Sequence, residues 1–338
     1  MEKYKNSKFI FVVGIGGSDL ASKAVWNAMT LHKPEVDKKL FFLESPDTRE
    51  YEEIESIVKN EINDLSEIVL IAISKSGQTV ETLETFKKIF DILYQKFDEL
   101  IKNQTLIITT KNSPLWQIAE EKEIEKKEWP ARQAGIAGGE GEVGGRFSAF
   151  TIAHTTVLSI AGLNIEDFIE GSHSAEASRD EQEKLAQNIF DNYKQGLNIL
   201  DFFIFNSELE DLGKWCRQLI AESLSLITPT VSIGPTDLHS MLELYLGGPK
   251  NRFTVFIESK NEIEGSISAV AYKNVSEAYD KAGLPFMKYE MDKITERELG
   301  IFMAFMINVT LELAKLLEIN PYDQPAVEEY KKNISKSQ

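Results

Sequence analysis

Ile68-Val-Leu-Ile-Ala-Ile73 runs straight into Ser74-Lys75-Ser76-Gly77-Gln78-Thr79-Val80-Glu81-Thr82, and the hydrophobic period changes at that junction. An unbroken, mostly β-branched apolar run reads as a strand buried on both faces. From Val80 to Tyr94 the apolar residues fall at helical spacing, which predicts an amphipathic helix. Strand, short glycine-bearing loop and helix form the βα half of a βαβ unit. The same order precedes it. Phe9–Val13 reads as a strand before a helix over Leu20–Leu31, and Leu40–Leu43 as a strand before a helix over Thr48–Lys59. Leu106–Thr109 follows as a further strand. After a glycine-rich stretch (135–145) and a long helical region from Phe150 to about Gln195, the alternation restarts with Phe202–Phe205, Thr230–Ile233 and Phe253–Ile257. The predicted fold is therefore α/β, with two tandem doubly wound units of mainly parallel sheet flanked by helices. The expected division is 1–165 for the first unit, 166–197 for linking helices, 198–318 for the second unit and 319–338 for a C-terminal segment. The charged run Glu120–Glu128 reads as a solvated helix or loop.

Composition narrows the function. Of 338 residues, 42% are apolar, enough for a sizeable core, and the formal net charge is −17. Nucleic-acid binding wants a basic face, so this balance argues against it. An anionic substrate must then be held by a local positive site, because the overall field repels it. Cys216 is the single cysteine, which excludes an internal disulfide and a thiolate cluster. Met1–Lys8 is charged, without the apolar segment of a signal peptide. Leu299–Leu317 is interrupted by Asn308 and Glu312 and reads as a buried core helix instead of a membrane span. A cytoplasmic protein without membrane partners is expected.

Two strand ends look fit for phosphate. Gly14-Ile15-Gly16-Gly17-Ser18-Asp19 follows the first strand. Its glycines permit a tight turn and close backbone approach, and the helix after it directs N–H groups at the loop. Asp19 occupies the third glycine position of a dinucleotide fingerprint, which weighs against a nicotinamide-dependent dehydrogenase. The ordinary alternative is a strand–helix turn with a Ser/Asp N-cap. In the second loop four hydroxyls (Ser74, Ser76, Thr79, Thr82) and Gly77 crowd a helix start. Hydroxyls and backbone N–H groups can bind phosphate, and the ordinary alternative is a helix capped by Thr79.

Ser74-Lys-Ser-Gly-Gln-Thr79-x-Glu-Thr82 resembles the phosphosugar loop of the sugar-isomerase (SIS) domain. Gly14-Ile-Gly-Gly-Ser18-Asp19-Leu20 is similar to the opening loop of the glucose-6-phosphate isomerase family. Gly144-Gly145-Arg146-Phe147-Ser148 resembles that family's G-G-R-[FY]-S motif, and Trp215-Cys-Arg-Gln218-Leu-Ile-Ala-Glu222-Ser223 its W-x-R-Q-L-x-x-E-S helix. Thr236-Asp-Leu-His239-Ser240 is similar to T-D-L-H-S. Asn320-Pro-Tyr-Asp-Gln324-Pro-Ala-Val-Glu-Glu-Tyr-Lys331 resembles the C-terminal N-P-[FY]-D-Q-P-x-V-E-x-Y-K segment. The six motifs stand in the family's order over residues 14–331.

Read as residues, Gln218 and Glu222 share a helix face at four-residue spacing. A carboxylate beside Leu219-Ile220-Ala221 is expected to hold its proton tightly enough for a general base, although a solvated helical glutamate fits the same letters. Histidine carries protons near neutral pH, and His239 has a motif around it. His32, His154 and His173 have none and read as structural or exposed. The resemblance implies two tandem SIS domains and aldose–ketose isomerisation of glucose 6-phosphate and fructose 6-phosphate, with no cofactor and no metal. It implies that Gly17, Ser18, Ser74, Lys75, Ser76 and Thr79 bind the phosphate, and that Gly145, Gln218 and Gln324 line the substrate site. It further implies that His239 and Lys331 open the sugar ring, that Glu222 carries the proton between C2 and C1, and that Arg146 stabilises the enediolate. The 319–338 segment would complete the active site, and a homodimer would share its sites, each histidine reaching the neighbour's. The family's long N-terminal helical segment and C-terminal arm are not seen, and the 122–142 region is richer in charge and glycine than the family's, as a lid would be. A bifunctional phosphoglucose/phosphomannose isomerase and a non-catalytic sugar-phosphate sensor are the competing readings.

Overall fold

The computed structural model of the protein describes residues 2–129, 144–260 and 266–327. Its elements in chain order are β1 (Phe9–Val13), α1 (Leu20–Thr30), β2 (Lys39–Leu43), α2 (Thr48–Asn60), β3 (Ile68–Ser74), α3 (Val80–Phe97), β4 (Thr105–Thr109), α4 (Pro114–Glu121), β5 (Glu125–Glu128), α5 (Ile152–Ile160) and α6 (Ile165–Ser174). Then come α7 (Arg179–Lys194), β6 (Ile199–Ile204), α8 (Glu210–Leu224), β7 (Thr228–Ile233), α9 (Thr236–Ser240), α10 (Leu242–Gly247), β8 (Arg252–Ser259), α11 (Ile267–Lys281), β9 (Phe286–Met291) and α12 (Glu296–Leu316). They form two compact units. The first holds the described residues up to 129, 144–170 and 295–299, and the second holds 171–260, 266–294 and 300–327.

In the first unit five parallel strands lie in the order β2-β1-β3-β4-β5. β1, β3 and β4 are buried along their whole length. Phe11, Leu70 and Ile107 pack against Phe86, Ile89 and Leu93 of α3. The chain leaves β1 toward one edge and β3 toward the other, so the loops after these two strands diverge. In open α/β sheets that divergence is where ligands bind. β1 and β3 pair in register with Val13 opposite Ala72, which sets the Gly14 and Ser74 loops side by side.

The expected loop or helix at the charged run is half wrong. Glu120 and Glu121 end α4, but Glu125–Glu128 is a strand paired with β4, Leu106 opposite Glu125. β4 would otherwise end the sheet with unpaired backbone groups, and charged side chains suit an edge. Tyr4 Oη donates to Glu125 at 3.1 Å, Lys3 pairs with it at 2.5 Å, and Lys126 lies over the Trp116 ring. Residues 130–142, the rest of the charged and glycine-rich region, lie outside the described residues.

The second unit has the parallel order β7-β6-β8-β9. Its core is aromatic, with Phe203, Tyr272, Tyr279 and Phe286 around Phe256 at centroid distances of 5.1–6.1 Å. β9 was not foreseen, because Phe286-Met-Lys-Tyr-Glu-Met291 is a half-exposed edge strand without a continuous apolar run. Here Asn206 Oδ1 accepts Ser259 N–H at 2.7 Å, so this unit's divergence point is bridged by its own side chain. Asp201, fully buried on β6, accepts from Thr230, from Ser232 Oγ at 3.0 Å and from Arg252 at 3.2 Å. Arg252 stacks on Tyr245 (4.1 Å), whose hydroxyl meets Ser232 Oγ at 2.8 Å. Asp201→Ala leaves the half-buried Arg252 without its counter-charge, and Thr230 and Ser232 without their acceptor, and is expected to cost about 3 kcal/mol in urea denaturation.

The long region from Phe150 is three helices, α5, α6 and α7, with a short 3₁₀ turn at Ala175–Ser178. α12 is long and apolar enough to cross a membrane, but 67% of its apolar window is buried inside the protein. It is a core helix, as expected.

Candidate active site

In the first unit the loop after β3 is built around Gly77, at φ +61°. A Cβ there would lie 2.2 Å from Ser113 Oγ and 2.7 Å from Thr109 Oγ1, so only glycine fits the turn. Gly77 N–H donates to Ser74 Oγ at 3.1 Å, and Ser74 Oγ meets Thr79 Oγ1 at 3.2 Å. Thr110 Oγ1 donates to the Lys75 carbonyl at 2.6 Å, tying the loop to the end of β4. Ser74 is 2% exposed, and its hydroxyl holds the loop's own shape. Ser76 is exposed and Thr79 and Lys75 are half-buried, so these present the loop to solvent. Thr79 occupies the N-cap of α3 without a side-chain capping bond, and its hydroxyl is turned to Ser74 instead.

The loop after β1 makes a 3₁₀ turn at Gly16–Ser18, with Gly16 at φ +61° and Gly17 and Ser18 half-buried. Asp19 follows it but makes no capping bond to α1. Its carboxyl is turned inward and fully buried. Burial first, then the charge of Glu44, pushes it well above the usual carboxylate range, against the pull of Lys23.

A second 3₁₀ turn, Gly145–Phe147, packs on the first. A Cβ on Gly17 would lie 2.4 Å from the carbonyl carbon of Gly145, so the two backbones cross in glycine-only contact. Arg146 is 3% exposed, and its guanidinium carbon lies 5.0 Å from the Phe147 ring centre. A Cβ on Gly144 would sit 3.2 Å from its Nη1, a tight contact with the end of a side chain.

Sequence reasoning passed over His154. It is fully buried on α5, with Nε2 3.2 Å from the Gly17 carbonyl and 3.0 Å from Ser148 Oγ. Burial pushes it down to about 4, so the imidazole is neutral at ordinary pH. No motif surrounds it, and its importance appears only when two loops 131 residues apart meet.

In the second unit the structure brings together three of the expected residues. Glu222 Oε1 accepts from Gln218 Nε2 at 2.8 Å and Oε2 from Gln324 Nε2 at 2.8 Å. Helix phase puts Leu219 and Ile220 in the core and leaves Ala221 exposed, so amides and not apolar walls grip the carboxylate. Gln324 is placed by a turn in which Tyr322 N–H donates to Asn320 Oδ1 at 3.1 Å and Asn320 Nδ2 to Asp323 at 2.8 Å. His239 is exposed on α9. Its helix is anchored by Asp237, which accepts from Ile233 N–H and Ser240 Oγ, each at 2.7 Å. Lys331 lies outside the described residues. Of the other histidines, His32 is half-buried and His173 exposed. Among the described residues no group of three or more His, Cys, Asp or Glu side chains converges as a metal site.

The model of the family described as phosphoglucose isomerase matches residues 2–223. Over nearly the whole chain it is similar to the glucose-6-phosphate isomerase of Methanocaldococcus jannaschii, 28% identical and covering 98% of this chain and 85% of that one. The glucose-6-phosphate isomerase of Fusobacterium nucleatum is 27% identical, with coverage of 98% and 80%. Among solved structures, a hypothetical protein from Thermus thermophilus shares the fold with a TM-score of 0.86 at 24% identity, covering 99% of this chain and 85% of that one. A glucose-6-phosphate isomerase from Chlamydia trachomatis does so with 0.79 at 19% identity, covering 99% and 70%. Tagatose-6-phosphate ketose/aldose isomerase from Escherichia coli, at 0.58 and 12%, shares the architecture more distantly. With the family model spanning more than half of its length, this chain belongs to the phosphoglucose isomerase family.

Proposed function

We propose that the chain interconverts glucose 6-phosphate and fructose 6-phosphate by proton transfer through an enediolate. The observation that carries this reading is the Glu222 carboxylate, gripped at both oxygens by amides, one from its own helix and one from a residue 102 positions further along the chain. A base held at both oxygens meets a substrate carbon in one orientation, and positioned proton transfer is worth about 10²–10⁴-fold in rate. Glu222 takes the proton from C2 and returns it to C1. Ser18, Ser76, Thr79 and Lys75 contact the phosphate, Ser74 shapes the loop, and backbone N–H groups of Gly17 and its neighbours add anion-binding dipoles. Arg146 offers its fixed cation to the oxygen on which charge develops. Gly145 keeps its turn narrow enough to pack on Gly17. His239 opens the ring with Lys331, and Gln218 and Gln324 orient both base and substrate.

The protein acts as a homodimer in which His239 serves the neighbour's site, a role that suits an exposed histidine. Hybrids formed from Glu222→Gln and His239→Ala subunits would then hold one intact site, and mixing two inactive variants is expected to restore activity. A mixture of demonstrated hybrids that stays inactive refutes sharing. The reaction itself is tested by supplying fructose 6-phosphate without added metal and coupling glucose 6-phosphate formation to NADP reduction. Turnover supports the isomerase. A folded dimer that binds the sugar phosphate without turning it over is a sensor, and comparable turnover of mannose 6-phosphate makes it bifunctional.

A further inference from the structure

The protons around His154 can be assigned one at a time. Ser22 N–H points at Nδ1 from 3.2 Å, so Nδ1 offers a lone pair. The Ser22 hydroxyl, 3.3 Å from Nδ1, donates to the Asp19 carbonyl at 2.8 Å and leaves Nδ1 as the acceptor of the amide. The ring proton therefore sits on Nε2, facing the Gly17 carbonyl at 3.2 Å and Ser148 Oγ at 3.0 Å. Ser148 Oγ lies 2.5 Å from the Gly145 carbonyl and 3.1 Å from that of Gly17. Its short contact takes the hydroxyl proton to Gly145. One carbonyl from each 3₁₀ turn thus receives one proton from a pair of side chains that touch each other.

A peptide unit is planar, so a fixed carbonyl fixes the amide on its far side. The Gly17 carbonyl sets the plane shared with Ser18, and the Gly145 carbonyl sets the plane shared with Arg146. We propose that His154, as the neutral Nε2–H tautomer, is a positioning residue that clamps the Gly16–Ser18 turn to the Arg146 turn and so fixes the spacing between the anion-binding turn and the arginine. The assignment of those two turns to substrate rests on the function proposed above, whereas the clamp rests on the hydrogen bonds alone. His154 touches no substrate. It is buried behind both turns and acts through Ser148 and two carbonyls.

Three readouts test it. In protein labelled with ¹⁵N-histidine, with the signal assigned by its loss in His154→Gln, the His154 ring is expected to show the Nε2–H pattern without change from pH 8 to pH 5. An Nδ1–H pattern, or a protonated ring at pH 6, overturns the proposal whether or not the protein has isomerase activity. Inorganic phosphate binding, measured by calorimetry, is expected to weaken about tenfold or more in His154→Leu, since a small misplacement of binding groups is costly. His154→Gln keeps an N–H that reaches the Gly17 carbonyl, so it is expected to recover binding to within about threefold of the parent. In the fructose 6-phosphate assay the same order is expected, with the leucine variant raising KM more than it lowers kcat. A leucine variant that binds phosphate like the parent, or a glutamine variant as weak as a folded leucine variant, overturns the clamp. If His154→Leu does not fold, the glutamine variant and the ring pattern decide. If the parent lacks turnover, the isomerase reading fails while ring pattern and phosphate binding still judge the clamp.

Discussion

Glu222→Gln is expected to lower turnover of fructose 6-phosphate by roughly 10³-fold, within the range that a positioned acid–base group supplies. The change removes the proton acceptor and keeps the shape. It also places an amide NH₂ where the carboxylate accepted from Gln218 and Gln324, so one donor would face another. Gln218 can relieve this by turning over, because its Oε1 is buried without a hydrogen-bond partner and would gain one. Stability is therefore expected to stay within about 1 kcal/mol of the parent. The coupled assay and a thermal melt check both halves. A fall in kcat with KM little changed places Glu222 at the chemical step. Turnover within tenfold of the parent moves the base elsewhere.

Gly17→Ala is expected to reduce kcat/KM about a hundredfold and to cost about 2 kcal/mol of stability. The new methyl carbon would lie 2.4 Å from the Gly145 carbonyl carbon, 2.6 Å from its Cα and 2.7 Å from Arg146 N. All three are backbone atoms, so no rotamer change relieves the contact and the turns must separate. Gly144→Ala is the control. Its methyl meets Arg146 Nη1 at 3.2 Å, the end of a flexible side chain, and the loss is expected to be smaller. Steady-state kinetics and urea denaturation of both variants check the order. Equal effects would show that the glycine crossing does not set the spacing.

The strands buried on both faces were legible in the sequence, and so were the half-buried edges β2 and β7, which keep short runs rich in apolar or β-branched residues. Phe9–Val13 and Ile68–Ile73 are continuous apolar runs because helices cover both sides of the sheet. Of the four edges, β5 and β9 were not legible. Glu125-Lys-Lys-Glu128 and Phe286–Met291 take their strand character from a neighbour's backbone, which leaves no mark on their own side chains. In the site, residues close in sequence could be grouped from the chain alone, as with the loop around Gly77 and the pair Gln218 and Glu222. Gln324 was reached by resemblance, and its partner only from the fold. The apolar setting expected for Glu222 failed because adjacent helical residues point to different faces. His154 was missed because its role depends on contacts with Gly17 and Ser22, 137 and 132 residues away.

The charged strand β5 has a further consequence during synthesis. β4, Thr105-Leu-Ile-Ile-Thr109, leaves the ribosome before the strand that covers it. Until residue 128 has emerged, a nascent chain carries an apolar strand with one open backbone edge, a template for pairing with other chains. The segment that closes this edge carries two glutamates and two lysines in four residues, so the finished edge repels further strands once it docks. Edge protection and sheet completion therefore arrive together, in one short stretch of chain.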